Sequence, residues 1–152
     1  MKQVLISVGK RHDASLAAAI DEFTARLHRE VPTEWHLVKP SGADEATARR
    51  VESAAVLDFI KSEDFVVLCD ERGRELTSPV LAASYEGWLE QNQRIVFVIG
   101  GAYGVDEYLR ERANTVWSLS QLVFPHQLVR LILVEQLYRA RMITKNHPYH
   151  HS

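Results

Sequence analysis

The residues able to do chemistry are concentrated in the last third of the chain. Gly100-Gly101-Ala102-Tyr103-Gly104 follows directly on the apolar run Arg94-Ile95-Val96-Phe97-Val98-Ile99. Glycines at a strand end let backbone approach a ligand with no Cβ in between and permit positive φ, although a Gly-Gly pair is also an ordinary tight turn. Leu119-Ser120-Gln121-Leu122-Val123-Phe124 offers apolar walls with spare backbone donors and acceptors, the makings of a slot for a flat heterocycle. Arg139, Tyr149 and His150 add positive charge, hydrogen bonding and a ring for stacking or proton work. The Pro148-Tyr149 pair is rigid for a frayed end, so the tail is expected to pack, although termini often stay loose.

Several chemistries fit poorly. Gly-Gly-Ala-Tyr-Gly lacks the three spaced glycines of a dinucleotide loop, and Asp106 and Glu107 put negative charge where a pyrophosphate would dock. The same acidic helix start suits a neutral or cationic ligand. His147, His150 and His151 crowd together with no carboxylate or thiolate nearby, so no metal is expected. Residues 1–124 carry 14 Lys/Arg against 19 Asp/Glu, whereas residues 125–152 carry Arg130, Arg139, Arg141 and Lys145 against Glu135 alone. That basic end reads either as compensation of a helix dipole or as a local anion-binding patch.

These residues need a scaffold, and the pattern supplies one. Val4–Val8, Trp35–Val38, Phe65–Cys69, Ile95–Ile99 and Val116–Leu119 read as strands, most of them continuously apolar. Helices are expected from Asp13 or Ser15 to about Arg29, from Asp44 through Ile60, and from Ser78-Pro79 to about Gln91. A short one opens at Gly104 or Val105, and a long one runs from Pro125 to near Thr144. Asp70 to Arg74 is a charged turn. Strict alternation of such strands with helices predicts a mostly parallel sheet with helices on both faces, and ligands then sit beyond strand ends such as Cys69, Gly100 and Leu119. The last helix is apolar on more than one face, which predicts burial against a second copy unless it lies wholly inside one domain.

At 152 residues the chain is expected to form one domain, residues 1–152, with an ordinary apolar fraction of 46%. No run reaches membrane-spanning length, no leader is apparent, and a single cysteine excludes an internal disulfide, so the cytoplasm is the expected compartment. A net charge of −2 argues against a protein that coats nucleic acid indiscriminately.

The chain resembles the bacterial large-subunit (23S) ribosomal RNA pseudouridine N3-methyltransferase family of the SPOUT (α/β-knot) superfamily. The likeness runs from Val4–Lys10 and Val66–Gly73 through Val98-Ile99-Gly100-Gly101, Ser118-Leu119-Ser120, Phe124-Pro125-His126, Leu128-Val129-Arg130, Glu135–Ala140 and Tyr149-His150. It implies a C-terminal trefoil knot, a homodimer, and S-adenosylmethionine held at Cys69, Gly100, Leu119, Ser120, Gln121, Leu122, Val123 and Phe124. The family usually has leucine where Cys69 stands, and a small buried thiol can replace it if the contact is apolar or through backbone. The implied reaction methylates N3 of a pseudouridine in 23S rRNA of the assembled ribosome. Tyr149, His150 and Arg139 would handle the base, with none singled out as the proton acceptor. Arg130, Arg141 and Lys145 would meet RNA. The rival readings are a non-catalytic RNA- or ribosome-binding module of the same fold and a flavodoxin-like nucleotide-binding enzyme.

Overall fold

The computed structural model describes residues 2–150. Five strands form one parallel sheet in the order β2-β1-β4-β3-β5, built from β1 (Lys2–Val8), β2 (Thr33–Val38), β3 (Phe65–Glu75), β4 (Arg94–Ile99) and β5 (Thr115–Ser118). The connecting helices are α1 (Ala14–Glu30), α2 (Glu45–Phe59), α3 (Ser78–Gln91) and α4 (Glu107–Arg112), and α5 (His126–Thr144) follows the last strand. Parallel strands joined through helices cross over right-handedly. In this strand order β1 to β2 and β3 to β4 step one way along the sheet, while β2 to β3 and β4 to β5 step the other. The two sets of helices must therefore lie on opposite faces, and they do.

Side-chain alternation along the strands serves both faces. Leu5, Val67, Ile95, Phe97 and Ile99 pack with Leu27 of α1, Leu81 and Tyr85 of α3, and Leu133, Val134 and Leu137 of α5. Val4, Ile6, Val66, Leu68, Val96 and Val98 pack with Val56 of α2 and Leu109 of α4. Each such side chain, fully buried, contributes about 1.5–3 kcal/mol. Strands covered on both sides carry no polar alternation, which is why the sequence reads as continuous apolar runs.

Several boundaries differ from expectation for local reasons. β3 does not end at Cys69: Asp70–Gly73 loop out and the strand resumes, so that Cys69 and Arg74 both pair with Trp117. A Cβ on Gly73 would lie 2.6 Å from the Val116 carbonyl oxygen, so only glycine lets the excursion close. Thr77, not Ser78, caps α3 by accepting from the Val80 amide at 3.3 Å, while the Ser78 hydroxyl donates to Gln136 of α5. Asp106 is the cap of α4 rather than part of its first turn, accepting from the Leu109 amide at 2.9 Å. Helix α5 lies against both α1 and α3. Two of its apolar faces are thus covered within the chain, and Leu128, Leu131 and Ile132 remain half-buried. Among the described residues no helix is long and apolar enough to cross a membrane.

Candidate functional site

The carboxyl ends of β3, β4 and β5 open onto a cavity of about 1240 Å³. Cys69, Gly100, Leu119, Ser120, Leu122, Val123 and Phe124 line it, as do His126 and Val129 at the start of α5. Gln121 is the exception among the expected cofactor residues: its side chain turns to Glu75 and does not line the cavity. The loop before α5 is held from within, since the Ser118 hydroxyl donates to the Ser120 carbonyl at 2.8 Å and the Leu122 amide donates to the Ser120 hydroxyl at 3.0 Å. Leu122 and Val123 are left exposed at the rim.

The glycine loop is a tight turn, closed by the Gly104 amide on the Gly101 carbonyl at 3.1 Å, with Gly104 at φ +74°. A Cβ on Gly100 would meet Val105 at 3.0 Å, and one on Gly101 would meet the Glu52 carboxylate at 2.8 Å. The glycines are therefore required first by the packing of the loop on itself and on α2. Helix α2 buttresses the loop, Arg49 donating to the Tyr103 carbonyl at 3.0 Å and the Ser53 hydroxyl accepting from the Asp106 amide at 2.9 Å. Arg49, Glu52 and Ser53 had no sequence signal beyond helical spacing.

Acidic and basic groups alternate around the cavity. Burial opposes charge on Asp70, but hydrogen bonds from Arg72 and the nearby Arg110 guanidinium outweigh it, so the carboxyl titrates below its usual range. Burial, with Asp70 adding, pushes the Cys69 thiol up to about 12. At neutral pH it is an uncharged wall residue, not a nucleophile. Asp70 is satisfied by Arg72 and Arg110, whereas Glu71, Asp106 and Glu107 line the cavity with no ion-pair partner among the described residues and favour cationic groups within it.

The tail packs, as its Pro-Tyr pair suggested. Tyr149 stands edge-on to Tyr138 with ring centroids 4.9 Å apart, and the Arg139 guanidinium lies 4.8 Å from its ring centre. The hub is Glu135, which accepts from Arg139 at 2.9 Å, Tyr149 at 2.7 Å and Gln136 at 2.6 Å. Its four-residue spacing to Arg139 was the available signal. Burial first, then the Glu135 carboxylate, pushes the Tyr149 hydroxyl up to about 12. Arg139 lies 3.1 Å from Nδ1 of His150. A guanidinium can only donate, so Nδ1 accepts and the ring carries its proton on Nε2, which is buried with no partner among the described residues. His151 lies outside the described residues.

The three cations expected to face RNA do not form one open patch. Arg141 meets Glu86 of α3 at 2.5 Å, and Lys145 meets Glu30 of α1 at 3.1 Å. Both sit at the end of α5, where paired cations also suit the helix dipole. Arg130 is wholly buried: Nε donates to the Ser7 hydroxyl at 2.8 Å, Nη1 approaches His12 Nδ1 at 3.2 Å, and Nη2 has no partner among the described residues.

A doubly covered parallel sheet with a cavity at its strand ends, walled by a glycine turn and a backbone-rich loop, defines an α/β protein built to hold a small molecule. The chain belongs to the SPOUT methyltransferase family, whose model, described as “Predicted SPOUT methyltransferase”, matches residues 1–150. It is 42% identical over 155 residues, the whole of both chains, to the ribosomal RNA large subunit methyltransferase H of Geobacter metallireducens. It is 38% identical over 154 residues to the protein of that name from Methylobacillus flagellatus, covering 99% of each.

Proposed function

We propose that this chain is an S-adenosylmethionine-dependent methyltransferase that methylates N3 of a pseudouridine in 23S ribosomal RNA of the assembled ribosome, in the cytoplasm. Relatives named as ribosomal RNA large subunit methyltransferases over their full length support the substrate class. The cavity residues suit the methyl donor. The loop from Leu119 to Phe124 offers apolar contact and backbone polarity for an adenine, and Glu71, Asp106 and Glu107 favour a sulfonium and an ammonium. When bound, the donor supplies an electrophilic methyl group. This chain's residues would hold N3 in line with that methyl group while the imide proton passes to water.

The tail cluster's contribution follows from its protonation. With its hydroxyl pushed up to about 12 and its one proton donated to Glu135, Tyr149 is a stacking ring near neutral pH, not a base. Arg139 and the Nε2–H of His150 supply the donors. Such a set stabilises the negative charge that spreads onto the carbonyl oxygens of an ionised imide, which eases loss of the N3 proton without a dedicated acceptor.

The observation that carries the reading is the separation of the two halves along one helix. Val129 lines the cavity and Arg139 holds the tail, ten residues on, or about 15 Å along the axis. A homodimer that brings one chain's tail over its partner's cavity closes that gap, and half-buried Leu128, Leu131 and Ile132 offer the contact face. A trefoil knot around the loop after β5 belongs to the same reading. Calorimetry with S-adenosylmethionine, followed by labelled methyl transfer to ribosomes and to free 23S rRNA, tests it. A heat of binding, transfer to ribosomes, and a reverse-transcription stop at the modified base are expected, because an N3 methyl blocks the pairing edge. Absence of any heat of binding would overturn it.

A further inference from the structure

Among the described residues, the most buried arginine lacks the counter-ion that several less buried arginines possess. Arg94, Arg110, Arg139 and Arg141, all less buried, each meet a carboxylate. Arg130 is 0% exposed, and among the described residues no carboxylate lies within ion-pair distance of it. A buried guanidinium held only by a hydroxyl and an imidazole is costly, and buried charges are normally paired. Burial holds the Arg130 pKa below its usual value, with Asp13 opposing. Burial and the Arg130 charge together also hold His12 down.

The unpartnered Nη2 has a defined outlook. It lies 2.7 Å from the point where a Cβ on Gly9 would sit, and Nε2 of His126 lies 3.2 Å from the same point. Gly9 is at φ +151° at the carboxyl end of β1, and His126 is half-exposed on the cavity wall. The N-termini of α1 and α5 meet here, joined by the Asp13 amide donating to the Gln127 side chain at 3.1 Å. Neither helix has a side-chain cap on its first amides. Exposed Lys10 and Arg11 flank the corner and have no carboxylate partner among the described residues, and Asp13 is the acidic group beside them.

We propose that Gly9, His126 and Arg130 form an oxyanion subsite that seats a phosphodiester of the target RNA beside the cavity. The assignment rests on the RNA-methyltransferase reading for the identity of the ligand. Turning of the half-exposed His126 ring opens Nη2 to the cavity. Two uncapped helix N-termini add their dipoles to the guanidinium. Lys10 and Arg11 extend the positive surface outward, where a polyanion continues and an isolated carboxylate does not. Gly9 leaves the room that a side chain would fill. Arg130 then reaches RNA from inside the fold, fixed in position by Ser7 and His12.

The wild-type protein is titrated with inorganic phosphate, and with acetate and chloride at matched ionic strength, while the Gly9 amide, the His126 ring and the Arg130 Nε–H are followed by NMR. Saturable shifts of all three with phosphate, weak ones with acetate and none with chloride are expected. Silence at these atoms, or equal response to all three anions, overturns the subsite. Lys10→Gln with Arg11→Gln should flatten the plot of log affinity against log salt for ribosomes by about one for each phosphate that the two side chains neutralise in the wild type. An unchanged slope counts against the extension. His126→Asn should weaken the phosphate affinity read at the Arg130 Nε–H without abolishing it, since Arg130 remains, and an unchanged affinity removes His126 from the subsite. The titration needs no methyl transfer. Phosphate seated here by a protein that moves no methyl group leaves the subsite standing and ends the enzymatic reading; the reverse pattern ends the subsite alone.

Discussion

Replacing Tyr149 by phenylalanine separates two roles for the tail. The ring keeps its edge-on contact with Tyr138 and its place under the Arg139 guanidinium, so packing is preserved. What goes is one hydroxyl donating to the Glu135 carboxylate at 2.7 Å. A hydrogen bond to a charged group contributes about 1.5–3 kcal/mol. Glu135 keeps Arg139 and Gln136, and the site is only half-buried, so the lower end applies. About 1.5 kcal/mol is roughly a tenfold loss of docked tail, and methyl transfer should fall by about that factor. With the hydroxyl at about 12, only about one molecule in 10⁵ carries a phenolate at pH 7, so the pH–rate profile should keep its shape. Labelled methyl transfer to ribosomes from pH 6 to 9 reads both quantities. A loss beyond about 10³-fold with a vanished acidic limb would show Tyr149 taking the proton, and would refute the donor assignment.

Gly100→Ala should weaken S-adenosylmethionine binding and lower Tm together, because its Cβ drives into Val105 rather than into the ligand; adding Val105→Ala should restore both in calorimetry and thermal melts. Asp64 is nearly buried and pairs with Arg94 at 2.7 Å; burial opposes its charge, but the Arg94 side chain and the Lys61 amide outweigh this and lower its pKa. The paired carboxylate therefore stabilises the fold above the unfolded-state pKa near 4 and loses that contribution as pH falls through the lower folded value. Asp64→Asn should cost about 3–5 kcal/mol at pH 7 and flatten the acid side of the stability curve measured by urea denaturation.

The layers of this fold were legible because each strand is buried on both faces, leaving apolar runs of strand length between helices of amphipathic spacing. The handedness rule then placed the helices, but strand order lay beyond the sequence, since β4 pairs with β1 across the whole of β2 and β3. The excursion at Asp70–Gly73 read as a turn ending β3, because nothing local says that a strand resumes after a bulge. In the cavity, apolar residues at strand ends announced themselves by type and position. The buttress of Arg49, Glu52 and Ser53 did not, because a polar residue on a helix looks alike whether it meets solvent or a distant loop. Arg130 is the sharpest case: an arginine among the apolar residues that open α5 suggests an exposed cation, and only tertiary packing shows it buried under Gly9.

The separation of cavity and tail along α5 leads to a test on mixed dimers. In a two-fold dimer every contact occurs twice, so if one chain's tail covers its partner's cavity, each dimer holds two composite sites. One chain carries Leu119→Trp, an indole filling the slot at the end of β5, with loss of donor binding checked by calorimetry. The other lacks residues 147–152 and keeps its cavity. Neither homodimer should transfer methyl groups at more than a small fraction of the wild-type rate. Mixed dimers, isolated through two different tags, pair the intact cavity of the second chain with the intact tail of the first. One complete site per dimer predicts about half the wild-type rate. If each chain covered its own cavity, no complete site would exist and the mixture would stay as inactive as its parents. That result would remove the need for a second chain and require the tail to cross about 15 Å within one molecule. The hydrogen bonds and ring contacts holding Tyr149 and His150 to α5 oppose such a movement.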